Sequence, residues 1–156
     1  MRIDRRSENL RVALSARSVD EPPLRSLRLA YEEVLGSEDT ELVRRWVDVI
    51  AATPSVLRAV IGGIQLKAHR VVAEFFGTRL GLSDDSLVPT MLAAAVGGVV
   101  QAGQTHWYFH DGDLATTISH GLRVLERGFG TDIESWVADA TSEWPSPAPS
   151  RPPTPS

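Results

Sequence analysis

The chain has 156 residues, the size of one ordinary domain, and no repeat or break in composition divides it. Hydrophobic residues make up 42% and charged residues 23%, which is globular: too apolar for general disorder and too interrupted for a membrane span. The 16 Lys and Arg against 20 Asp and Glu leave a net charge of -4, no sign of a nucleic-acid binder, and the lack of cysteine excludes disulfides, zinc-thiolate sites and cysteine nucleophiles. No apolar signal segment follows Met1, so a cytoplasmic protein is expected.

Apolar residues recur at spacings of three and four, without β-branched alternation, so the expected class is all-α: a bundle of up to seven helices over residues 1–144. Pro145 to Ser156 hold six of the ten prolines, and this tail is expected to be disordered. The first helix, about Asp4 to Ala16, carries Ile3, Leu10 and Leu14 on one stripe, with arginines around it read as a solvated face. Pro22 and Pro23 suit the first turn of a second helix, with Leu24, Leu27, Tyr31, Val34 and Leu35 inward and Gly36 as its stop. Ser37 is the expected cap of a third helix, whose inner side is Leu42, Val43, Trp46, Val47 and Ile50.

Thr53-Pro54 marks a cap followed by proline at the first helical position, so a fourth helix is predicted from Pro54 to Leu80, ended by Gly81. A fifth follows the cap candidates Ser83 to Ser86, holds Pro89 in its first turn and reaches Phe109. After the turn at His110-Asp-Gly-Asp113, Leu114, Ile118, Leu122, Leu125 and Phe129 define a sixth helix. Thr131-Asp-Ile-Glu134 reads as a capping box opening a short seventh.

Small residues stand out on the last two long helices: Ala94, Gly98 and Ala102 on the fifth, and Thr117, Gly121, Val124 and Gly128, beside Leu125, on the sixth. Each glycine costs a helix roughly 1 kcal/mol relative to alanine, so close packing must justify it, either within one subunit or in a four-helix dimer interface. His106 and His110 share a helix face, but no third ligand is fixed by spacing, and no metal site is expected. Nucleophile-elbow, phosphate-loop and dinucleotide fingerprints are all missing, so neither an enzyme nor a resident cofactor is expected. A small-molecule cavity fits better. Gly62, Gln65 and His69 on the fourth helix face Gln101, Thr105 and Tyr108 on the fifth, with Trp46 and Trp107 as aromatic walls around a largely apolar space.

The run Ala51-Ala-Thr-Pro54, Ser55-Val-Leu-Arg58, Arg79-Leu-Gly-Leu82 with Ser83-Asp-Asp85, then Leu92-Ala-Ala-Ala95 and Trp107 before Gly112-Asp-Leu114, resembles the regulatory half of a TetR-family transcriptional regulator. It is most similar to the actinobacterial branch that includes the mycofactocin-system regulator. The resemblance implies a homodimer joined through its last two long helices, a small-molecule effector, no membrane, and DNA contact only through an N-terminal helix-turn-helix. That module is missing from this sequence, in which Met1-Arg-Ile-Asp stands where the fourth family helix is already under way; a truncated or misassigned start and a regulatory domain used by itself are both open. The alternative is a free-standing helical protein that binds a small molecule or a partner without touching DNA.

Overall fold

The computed structural model describes residues 5–110 and 112–128, which form six α-helices and no strand: α1 Arg6–Ser15, α2 Pro23–Gly36, α3 Thr40–Ala51, α4 Pro54–Leu80, α5 Leu87–Phe109 and α6 Leu114–Arg127. The seventh helix and the proline-rich tail lie outside the described residues. The main packing pairs are α2 with α6, α4 with α5 and α5 with α6, while α1 rests on α2 and α4 and α3 on α4. The core collects Leu10 and Leu14 of α1, Leu27, Ala30 and Val34 of α2, Val72 and Phe76 of α4, Val96 of α5, and Ile118 and Leu122 of α6.

Local chemistry explains most helix ends. Pro22 and Pro23 open α2 where a missing N–H leaves nothing unpaired. Thr53 and Pro54 start α4 as expected, and Gly81 ends it in the left-handed conformation at φ 65°. Asp113 caps α6, its carboxylate accepting from the Thr116 N–H at 2.7 Å.

Three boundaries differ from expectation. The cap of α3 is Asp39, which accepts from the Leu42 N–H at 3.0 Å, and not Ser37. Ser37 instead closes α2, its hydroxyl donating to the Val34 carbonyl at 2.7 Å, so Gly36 stays inside that helix. Gly128 is not part of a strip running along α6: the helix stops at Arg127 and Gly128 takes φ 78°, a backbone state that favours glycine.

Charged side chains tie the layers together. The Arg79 guanidinium, at the end of α4, donates to the carbonyls of Ser18 and Val19 at 2.6 Å each and so pins the α1–α2 connection. Arg28 on α2 pairs with Glu32 at 2.8 Å and with Glu126 of α6 at 3.1 Å.

The two halves of α4 have different surroundings. Val71, Val72, Ala73 and Phe76 are buried, whereas Ile61 and Leu66 remain exposed. Its N-terminal half therefore stands off the core. Gly62 and Gly63 sit there with nothing among the described residues within 4 Å of where a Cβ would lie, so no described neighbouring backbone requires them.

Composition argued against a membrane span, yet α5 is long and apolar enough to cross a bilayer by those criteria alone. A core helix of a soluble protein gives the same signal, and α5 packs on both α4 and α6. Only 22% of its apolar window is buried within one chain, leaving Leu87, Val88 and Met91 open.

Candidate functional site

The gap left by the N-terminal half of α4 is occupied by two cavities. The first, about 580 Å³, lies between α4 and α5 and is bounded by Arg6 of α1 and by Tyr31 and Leu35 of α2. The second, about 340 Å³, lies among α3, α4 and α5, with Val47, Ile50, Ile61, Ile64 and Leu114 giving it an apolar surface. Arg6, Ile64, Gln65, Gln101 and Gln104 belong to both walls, so the two chambers share a polar partition.

Every residue expected to line a binding space falls on one of these walls. Gly62 and His69 face the first chamber; Trp46, Thr105, Trp107 and Tyr108 face the second; Gln65 and Gln101 face both. Helical spacing explains the grouping. Gln101, Gln104 and Tyr108 follow at three and four residues, one flank of α5, and Gln65 and His69 stand one turn apart on α4. Phe76, further along α4, is buried in the core.

The sequence reading missed Arg6, Tyr31 and Gln104. Arg6 precedes Leu10 and Leu14 at four-residue intervals, a signal that it shares their buried stripe, although arginines of this segment look like a solvated face. Its Nε donates to Glu38 Oε1 at 2.7 Å, and Nη2 reaches the other carboxylate oxygen. Burial pushes the Tyr31 phenol up to about 12, with the Arg6 charge acting in the opposite direction, so Tyr31 stays a neutral phenol bordering the first chamber.

Two contacts hold α3 against α5 around the second chamber. The Tyr108 hydroxyl donates to Asp48 Oδ1 at 2.8 Å, and the Arg44 guanidinium lies 4.6 Å over the Trp107 ring. Trp107 is 3% exposed, and its buried indole N–H has no acceptor among the described residues.

The small-residue strip divides. Ala94 and Gly98 line the first chamber, while Ala102 is exposed on α5. Gly121 is accounted for inside the chain, because a Cβ there would come within 2.8 Å of Val99 Cγ1 on α5. Thr117, Val124 and Leu125 are partly buried on α6.

His106 and His110 stack with ring centroids 4.2 Å apart, and His110 Nδ1 lies 2.8 Å from the His106 carbonyl oxygen. Desolvation, and then the His110 charge, lower the His106 pKa. Among the described residues no group of three or more His, Cys, Asp or Glu side chains is placed to hold a metal ion.

Apolar chambers with a few amide, phenol and indole groups can hold and orient a small molecule. Six helices around such chambers make an all-α bundle with room for a small molecule between α3, α4 and α5. The profile of the MftR C-terminal domain, a TetR-type regulatory domain, matches residues 21–130, and the chain belongs to that family of ligand-binding and dimerisation domains of transcription regulators. A search of curated proteins finds no significant match.

Proposed function

We propose that this domain senses a largely apolar small molecule held in the two chambers and passes the signal on as a homodimer. The observation that carries the reading is the shared partition: Ile64, Gln65, Gln101 and Gln104 border both spaces, so one ligand lying across it meets α4 and α5 together. Arg6 brings α1 to the same partition. Occupancy would then shift α1, the helix nearest the DNA-binding module in regulators of this type, and change the spacing of two recognition helices matched to half-sites about 34–36 Å apart. In regulators of this type, DNA contact falls to that module.

The open, apolar face of α5 supports the dimer. Leu87, Met91 and Ala102 follow at intervals of four and eleven and are exposed in one chain, and a second copy of α5 and α6 would cover them in a four-helix arrangement. Native mass spectrometry of the purified protein tests both parts. The expected result is a dimer that retains a small nonpolar molecule or takes up an added one saturably. A monomer at micromolar concentration would remove the dimer, and no retained or saturable ligand would remove the sensor.

A further inference from the structure

We infer that the first chamber takes an apolar monocarboxylate, whose carboxylate docks on the unspent edge of the Arg6 guanidinium and on the Tyr31 hydroxyl. This rests on the effector-binding reading above and names the chemistry of the ligand. A guanidinium carries its N–H donors on a planar fork. Glu38 takes the edge formed by Nε and Nη2, whereas Nη1 has no partner among the described residues and is not shut off from water. The edge that suits a second carboxylate end-on is therefore free. Arg6 borders the chamber, and Glu38 does not line it.

Tyr31 supplies the other contact. The residue is 4% exposed and borders the first chamber. Its hydroxyl makes no hydrogen bond among the described residues, yet it is not one of their sealed polar atoms, so it opens on a space that a water-sized group can enter. For a side chain this buried, that space is the chamber it borders. The Arg6 charge is felt at the phenol, which places the two groups near each other, and burial keeps the phenol protonated and able to donate.

The rest of the wall selects the charge and the body. Among the described residues that line this chamber none is an Asp or Glu, so no acidic side chain on the wall opposes an anion. Gln65, Gln101 and Gln104 donate and accept alike and do not decide between head groups. Arg6 does decide, because its N–H groups only donate. A carboxylate has twice the lone-pair sites of a ketone oxygen, and its bonds to a guanidinium are charge-assisted, as those of a ketone or an alcohol are only in part. Leu35, Ile64, Val72 and Val100 demand an apolar body behind that head.

The test compares heptanoate with 2-octanone, in which a methyl group replaces one carboxylate oxygen, on the full chain at about pH 7, where the acid is ionised. Heptanoate is expected to bind about tenfold more tightly, against the order that an apolar space alone would set. Tyr31→Phe removes a hydroxyl that has no bond to lose in the free chain, and it should weaken heptanoate about tenfold and leave the ketone unchanged. Bound heptanoate should show intermolecular nuclear Overhauser contacts to the methyl groups of Leu35, Val72 and Val100. The ketone has no claim on Arg6 and is expected in the second chamber, against Val47 and Leu114. A ketone bound as tightly as heptanoate, a Tyr31→Phe protein that holds heptanoate unchanged, or heptanoate contacts confined to the second chamber would overturn the carboxylate assignment and leave the apolar sensor standing. Failure of both probes to bind would overturn both. If Tyr31→Phe does not fold, the two affinities and the heptanoate contacts of the wild-type protein decide.

Discussion

Arg6, in the first turn of α1, grips Glu38, in the link between α2 and α3, through both carboxylate oxygens, with Nε to Oε1 at 2.7 Å. The pair is largely shielded, with side chains 11% and 18% exposed, and Arg6 borders both chambers. It joins the helix assigned to signal output, the wall of the cavity and the start of α3.

Arg6→Met should destabilise the domain by about 1–3 kcal/mol, because Glu38 loses its two donors in a poorly solvated place. Arg6→Met combined with Glu38→Leu should cost clearly less than the two single changes added together. Urea denaturation of the four proteins gives the coupling, and strict additivity would show that the pair contributes nothing.

Two glycines of α4 should respond oppositely to alanine. At Gly77 a Cβ would meet backbone, 3.0 Å from the Leu82 carbonyl oxygen and 3.1 Å from the Asp84 nitrogen, so Gly77→Ala should cost about 1–3 kcal/mol. At Gly63 the space is open, and Gly63→Ala should stabilise by about 0.5–1 kcal/mol through helix propensity. Thermal melts of both variants check the signs.

These residues also show what was legible in the sequence. The limits of α4 follow from Thr53-Pro54 and Gly81, because a cap, a proline and a left-handed glycine are local devices. The chamber residues were legible as a set because helical spacing places Gln101, Thr105 and Tyr108 along one flank of α5. Long-range pairing was not. Arg6 looks solvated until Glu38, 32 residues away, is brought to it, and Ser37 looks like the α3 cap until its hydroxyl turns back to Val34. Gly121 reads equally as an interface residue or as a seat for Val99, and only packing assigns it to Val99 within the chain.

Acid should weaken the α1–α2 connection through Glu21. Hydrogen bonds from Arg17, at 2.7 and 2.8 Å, and then from Ser26, at 2.7 Å, lower its carboxyl from 4.5 to about 2. A carboxyl depressed in the folded state contributes its stability fully above the unfolded value of 4.5 and loses it as pH falls toward about 2. Between about pH 6 and about pH 3, the urea midpoint of the wild type should therefore fall further than that of Glu21→Gln. Parallel curves would contradict this.

Ala102 tests the proposed α5 interface. It is exposed in one chain, so Ala102→Glu should leave the fold within about 0.5 kcal/mol, while like charges meeting across a symmetric contact should shift the protein toward monomer. Sedimentation equilibrium at micromolar concentration reads the change, and an unaltered dimer would move the interface away from this face.

The most direct measurement is where a small apolar molecule sits. In the complex with 2-octanone, intermolecular nuclear Overhauser contacts are predicted to the methyl groups of Val43, Val47, Ile61, Ile64 and Leu114, which line the second chamber. Contacts confined to the exposed methyl groups of Val88 and Met91 on the outer part of α5 would contradict the account.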